Sequence, residues 1–417
     1  MANVTPNVTP NVTPGSVSGK LASVKTLTKR QEKAPSYENC INLASALRRS
    51  ARFDEARRML TSAVALQPAQ PEAWNNLAQL ESDLGRFDLV PGLFQRALQC
   101  HDKRGSPPTA CKDTLLGFAY SLMRLGKFDS VWPLWEAARF GLSWWAFPGT
   151  FPWKGEKVER LLVVCEGGFG DGFNFARWLP ALARRVPHVL VIVWDRMLEY
   201  MTHALRNYTN VRVLPMSHEF QYDDLAGFTH TTSILSLPAE LGMSTWAELP
   251  PPLDWTPPAR IIAPPLDWIG FCWQAEENGV QRRTRSIPLP VADRIGRALG
   301  KKCERVVSLC LPGKNLYARE TDWRVPRGVT HDPSAIDGWE STARTLLKCK
   351  RIVTTDTAVA HLSGSLGVPT LMLLPVRSAW TWARRGDELP NWYGAGFRTY
   401  RETNPAAWTV EEVLRAL

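Results

Sequence analysis

The sequence predicts an all-α repeat region followed by two α/β halves, each carrying a mostly parallel sheet. Three observations predict it. The segments SARFDEARRML, LGRFDLVPGLF and LGKFDSVWPLW align on Phe53, Phe87 and Phe128. The run LLVVCEGGFGDGFNFARWLP, from Leu161 to Pro180, reads as apolar strand, glycine-rich loop and helix. The run RIVTTDTAVAHLSGSLGVPTLMLL, from Arg351 to Leu374, repeats that pattern about 190 residues later. Ligands of open α/β sheets bind at the carboxyl ends of strands, where such loops lie. Two such loops suggest two Rossmann-like halves facing one cleft.

The chain opens with a tail, residues 1–36, in which NVTP occurs three times before a Gly, Ser and Lys stretch. Dense proline and few large apolar residues make disorder the expectation there. Helical repeats are expected over residues 37–140. Phe53 and Phe87 are 34 residues apart, the tetratricopeptide period. Phe87 and Phe128 are 41 apart, and the extra residues are expected in HDKRGSPPTA, after Cys100. Trp74, Leu77 and Ala78 fall where the first helix of such a repeat needs them, with Tyr37, Phe118 and Ala119 as counterparts. Ordinary helical hairpins are the alternative, but three aligned cassettes favour repeats, which stack into an array with a concave face.

Residues 141–157 read as a connector with aromatic anchors. The first α/β half is expected over residues 158–250, with strands at Arg160–Cys165, Val189–Trp194 and Val211–Pro215. The proline-rich residues 251–268 read as a linker. The second half, residues 269–417, shows strands at Ile269–Trp273, Val306–Cys310, Ile352–Thr355 and Thr370–Leu374. The last helix, TVEEVLRAL, is expected to pack back across the first half.

At 417 residues there is room for two or three domains. Apolar content of 44% and charged content of 22% are ordinary for a globular protein. No apolar run approaches the roughly 18 residues of a membrane span. The N-terminus lacks the apolar core of a signal peptide, so the cytoplasm is the expected compartment. The net charge is +10. Lys20, Lys25, Lys29, Arg30 and Lys33 against Glu32 place +4 of it in the tail. That balance suits anionic small molecules, nucleic acid or an acidic surface, or is simply a solvated tail on a basic globule. The eight cysteines form no C-x-x-C pair, so neither zinc nor a disulfide framework is expected.

The two loops suggest a division of labour. Asp171, at a loop–helix junction, can take a proton from a hydroxyl. An Asp there serves equally as a helix cap. Gly167, Gly168, Gly170 and Gly172 let backbone or substrate come close. In the second loop, Thr357, Ala358 and Val359 begin a helix whose free N–H groups and dipole favour an anion. Asp356 could hold sugar hydroxyls and His361 could hydrogen-bond the same ligand, although a lone His in an apolar helix is often structural. Arg282, Arg283 and Arg285 follow a strand end and could neutralise phosphates, or form a solvated loop. Arg285, next to the apolar SIPL, is the strongest of the three. The glycine loop is not GxGxxG, which disfavours a dinucleotide fold. No G-x-S-x-G supports serine-hydrolase chemistry. No spaced D-x-D pair is present, so no essential metal is expected.

These segments carry a resemblance. EGGFGDGFNFARWLP resembles the E-x-G-x-GD-x-x-x-FARYLP segment of bacterial tetratricopeptide-repeat glycosyltransferases. WQAEENGVQRRTRSIPL resembles their W-x-G-x(n)-R-R-S-I-P-L segment, and DTAVAHLSGSLGVPTLMLLP their DTAVAHLAGALG-x-P-x-x-x-LLP. WTWARRGDELPNWYGAGFRTYRE is similar to their final W-R-W motif region. The likeness runs from about Val158 to Glu402 and extends to the family-9 ADP-heptose:lipopolysaccharide heptosyltransferases and, more remotely, to O-linked N-acetylglucosamine transferases. It implies a GT-B fold and an inverting, metal-independent transferase using a nucleotide sugar as co-substrate, with no separate cofactor. It implies Asp171 as base, Asp356 and His361 in the donor site, and the Thr357–Val359 amides on the diphosphate. The acceptor is expected to be a protein or glycan chosen by the repeats. Cys310, Gly172-Phe173 and LPGKNLYARETDWRVPRG depart from the pattern, so donor identity does not carry over. Two rivals are a non-catalytic repeat adaptor and a nucleic-acid-directed transferase. Nucleic acid is a disfavoured partner, because no aromatic–basic base-reading motif accompanies the basic tail.

Overall fold

The computed structural model describes residues 23–139, 149–220, 224–243, 248–256, 265–275, 285–311, 324–375, 382, 392–402 and 408–417. Seven helices come first: α1 (Val24–Lys33), α2 (Tyr37–Arg49), α3 (Phe53–Leu66), α4 (Pro71–Asp83), α5 (Val90–Lys103), α6 (Pro108–Arg124) and α7 (Trp132–Arg139). Helices α2/α3, α4/α5 and α6/α7 form three successive hairpins. Phe53, Phe87 and Phe128 are buried at equivalent places. Two residues before each, Ala51, Gly85 and Gly126 adopt positive φ (57°, 71° and 73°) and turn the chain from one helix to the next. Buried-edge ion pairs join adjacent hairpins, including Arg57 with Glu81 at 2.7 Å.

One expectation for this region changes. The tail was expected to be disordered through residue 36, yet Val24–Lys33 is helical. Ser23 caps it by accepting from the Thr26 N–H, and Leu27 is buried among Leu43, Leu47 and Leu60. A single well-placed leucine gives this basic segment a face to bury. The extra residues of the 41-residue spacing fall around HDKRGSPPTA, as expected, where they lengthen two helices and not the connection between them. Helix α6 has 17 residues where α4 has 13, and α5 with its leading 3₁₀ turn (Phe87–Leu89) is likewise longer than α3. Each pair grows by about one turn, so the buried faces stay in phase.

The first α/β half holds β1 (Phe151–Pro152), β2 (Arg160–Val164), α8 (Phe169–Phe175), α9 (Leu179–Arg185), β3 (His188–Val193), α10 (Leu198–Ala204), β4 (Val211–Pro215), β5 (His230–Ser233) and α11 (Leu237–Glu240). Its sheet is wholly parallel in the order β1-β5-β2-β3-β4. The second half holds β6 (Leu266–Cys272), α12 (Leu289–Leu299), β7 (Arg305–Ser308), α13 (Trp339–Lys348), β8 (Cys349–Thr355), α14 (Ala358–Ser365), β9 (Thr370–Leu374), β10 (Phe397–Arg401) and α15 (Val410–Ala416). It is also wholly parallel, in the order β10-β9-β8-β6-β7. Two such sheets facing each other make the GT-B arrangement. Strand β1 brings the end of the connector into the first sheet, and β6 begins three residues before the expected second half.

Helix α15 does not cross to the first half. It lies on α12, with Arg294 bonded to Glu411 at 2.8 Å and Tyr400 to Glu412 at 3.1 Å. All eight cysteines are free thiols, and only Cys303 is not buried. Among the described residues no helix is long and apolar enough to cross a membrane.

Candidate active site

The halves meet where α8 faces α14. A Cβ added at Gly170 would fall 2.7 Å from His361 Cδ2 and 3.5 Å from the Ala358 Cα. Only glycine allows α8 that close. Phe169 and Phe173 pack on Trp339 at 5.2 and 5.0 Å, and Trp255 donates to Glu340 at 3.0 Å, adding to the contact. The residues read from the two loops, 190 apart in sequence, are thereby brought together.

Asp171 is the third residue of α8. The N–H of Gly168, the helix N-cap, donates to Asp171 Oδ2 at 2.8 Å. Glycine has no side chain to return the bond, so only half of a capping box forms. Among the described residues, the other carboxylate oxygen has no hydrogen-bond partner. The cap and base roles therefore fall on different oxygens. Gly167 adopts φ 83°, which brings the loop under the carboxylate: a Cβ there would meet Oδ2 at 2.7 Å. Burial pushes the Asp171 carboxyl up from 3.8 to about 6. The nearby Asp356 charge adds to the rise, while the Gly168 N–H and the Arg285 cation oppose it. Gly172 serves packing instead of the cleft, since its Cβ position is filled by Met197 at 2.8 Å.

Across the cleft, β8 ends at Thr355 and Asp356 follows, buried. The Trp382 indole N–H donates to its Oδ1 at 2.9 Å. Thr357 is the N-cap of α14, and Ala358 and Val359 are its first two residues. Among the described residues, nothing accepts from their N–H groups, which is the ordinary state of a helix start and leaves donors for an anion. His361 is buried on the next turn, stacked on Trp382 at 4.6 Å and 21°. Its Nδ1 lies 2.7 Å from the Tyr393 hydroxyl. Burial holds the imidazole down at about 4, so it is neutral at pH 7. Arg285 is half-buried, and its carbonyl accepts from the Thr355 hydroxyl. Arg283 lies outside the described residues.

Sequence reasoning missed four participants. Arg401 donates to the Trp382 carbonyl at 3.4 Å and adds a second half-buried cation, held down to about 10 by desolvation with Asp356 opposing. Arg177, Asn174 and Tyr393 link the halves behind His361. Arg177 and Asn174 lie inside the quoted EGGFGDGFNFARWLP segment, but apolar periodicity does not show which face of a short helix meets another domain. Among the described residues no group of three His, Cys, Asp or Glu side chains is placed to hold a metal ion.

Residues 40–80 match the tetratricopeptide-repeat family model. No curated protein matches the chain. Among solved structures, the chain is similar to Escherichia coli ADP-heptose lps heptosyltransferase II, at 14% identity over 61% of this chain and 96% of that one, TM-score 0.42. A family 9 glycosyl transferase from Veillonella parvula is 12% identical over 63% and 97%, TM-score 0.42. A mutant O-GlcNAc transferase from Thermobaculum terrenum is 15% identical over 89% and 79%, TM-score 0.30. The chain thus carries tetratricopeptide repeats, and its two parallel-sheet halves are those of a GT-B protein by their own topology.

Proposed function

We propose that this protein is an inverting, metal-independent glycosyltransferase. It moves a sugar from a nucleotide-sugar donor to a hydroxyl of a protein or glycan acceptor, which the repeats position. One observation carries the reading: the contact of α8 with α14 sets a carboxylate with a raised proton affinity against a helix N-terminus with free N–H groups. The first is a base poised near neutral pH. The second binds a diphosphate. In this scheme Asp171 takes the acceptor's proton through its uncommitted oxygen as the acceptor oxygen attacks the anomeric carbon. The bond to the diphosphate breaks on the opposite face, so a single displacement inverts the centre. Arg285, Arg283 and the Thr357–Val359 amides take up the leaving group's charge. Asp356 and His361 line the donor pocket. The compartment we infer is the cytoplasm, and no further cofactor enters the scheme.

The first experiment is thermal stabilisation by ADP-, UDP-, GDP- and TDP-sugars and the free nucleotides. One nucleotide should stabilise selectively. Asp171→Ala should then abolish transfer, by at least about 10³-fold, with donor affinity nearly unchanged. Preserved turnover in that variant would end the base assignment. No stabilisation by any nucleotide would favour the non-catalytic adaptor.

A further inference from the structure

A chain of buried polar groups runs behind the proposed donor pocket and crosses from one half to the other. Asn174, on α8, is wholly buried, and its Oδ1 lies 3.3 Å from the Tyr393 hydroxyl. The same hydroxyl lies 2.7 Å from His361 Nδ1. Tyr393 is fixed by its surroundings. A Cβ at Gly364 would fall 2.3 Å from its ring, and the Arg177 guanidinium sits 5.2 Å from the ring centroid. Arg177 is itself buried and donates to the Trp392 carbonyl at 3.0 Å and the Pro250 carbonyl at 3.2 Å.

A neutral imidazole has one N–H and one lone pair, and its partners decide which nitrogen holds which. A tyrosine hydroxyl has a single proton to give. Here the Asn174 carbonyl oxygen faces that hydroxyl, so the proton goes to it. The phenolic oxygen then turns its lone pairs to His361 Nδ1, which must carry the hydrogen. The lone pair is left on Nε2. That atom lies 3.4 Å from where a Cβ on Gly170 would be, one residue from Asp171.

We propose that Tyr393, bridged to Asn174 across the cleft, is a positioning residue that holds His361 in its Nδ1-protonated tautomer and presents Nε2 as a hydrogen-bond acceptor beside Asp171. An acceptor there takes an O–H donor, and has no hydrogen to offer a phosphate oxygen. His361 therefore binds a hydroxyl of the donor sugar and not the diphosphate. That last step rests on the glycosyltransferase reading; the tautomer does not.

The tautomer can be read without any substrate. The full chain, labelled with ¹⁵N-histidine, is examined at pH 7 by long-range ¹H–¹⁵N correlation, with His361→Gln identifying the residue's signals. The expected result is a protonated Nδ1 and a pyridine-like Nε2. Tyr393→Phe should shift His361 toward the Nε2-protonated form. A protonated Nε2 in the unaltered protein, as an inverted Asn174 amide would give, overturns the proposal. So does a pattern unchanged in a folded Tyr393→Phe variant. The spectrum of the unaltered protein decides the matter even if that variant does not fold. Once a donor is known, Tyr393→Phe should raise its KM about tenfold with kcat within threefold. A loss confined to kcat would overturn the positioning role. The expected tautomer without binding of any nucleotide sugar would leave this assignment standing and remove the donor reading.

Discussion

Asp171 is held in a state that costs the fold something. Its carboxyl titrates near 6 when folded against 3.8 when unfolded, so the folded protein must keep a partly buried charge at pH 7. The cost is present above pH 6 and is lost as pH falls from 6 to 3.8, where only the folded form holds the proton. His361 works in the opposite direction. Its folded value near 4 lies below the ordinary 6.5, so stability is lost as pH falls through that window. In the unaltered protein the two trends offset each other between about pH 4 and 6. Asp171→Asn removes one of them. It should stabilise the protein at pH 7 by roughly 1–3 kcal/mol. It should also make stability fall more steeply on acidification through that window. Chemical denaturation at pH 7 and pH 5 measures both. Equal slopes for the two proteins would show that Asp171 is not desolvated. The sequence gives away Asp171 as a position, through its glycine loop. It does not give away the raised proton affinity, which arises from burial and from the charge of Asp356, far along the chain.

At the scale of elements, the strands that the sequence shows are those with apolar runs: β2, β3, β4, β6, β7, β8 and β9. Those it hides are β5, β10 and the two-residue β1. Strand β5 is His-Thr-Thr-Ser, yet Thr231, Thr232 and Ser233 are fully buried. Two of its polar side chains are satisfied from elsewhere, Thr232 donating to Glu240 at 2.7 Å and Ser233 to the buried Glu166, while the Thr231 hydroxyl has no partner among the described residues. A strand whose core contacts are hydrogen bonds has no hydropathy signature. The repeats show the reverse, because their turns repeat visibly. Ala51 holds at φ 57° the left-handed place that Gly85 and Gly126 hold in the other two. Alanine is strained there and glycine is not, although glycine gives up more entropy on folding. Ala51→Gly should therefore stabilise by about 0.5–1 kcal/mol, seen as a rise in the thermal midpoint. A fall would mean that the turn is not strained.

Across the whole molecule, the sequence divides the chain correctly into repeats and two α/β halves but does not show which surface meets which. Helix α15 buries Val410 and Val413 and lies on α12, where the exposed Arg294 pairs with Glu411 at its edge. The repeats are joined to the first half by a hydrogen bond to the backbone. The Trp132 indole donates to the Met243 carbonyl at 2.6 Å, and its ring lies 5.9 Å from Phe128. Trp132→Ala should cost roughly 2–4 kcal/mol at this junction. Calorimetry should then resolve two transitions where the unaltered protein shows one. A single undivided transition would mean that the junction is held by other contacts.

The longer α6 has a consequence for growth. Helix α6 has four residues more than α4 and so stands about 6 Å taller. A fourth unit of the ordinary 34-residue size could not match that ledge, and would leave a turn of α6 uncovered. Solenoids are extended by adding copies of a template, and this one ends on a copy that no longer fits its own kind. Its length is set by a mismatch at the last step, and the end face that another repeat would have covered is given over to the sheet domains.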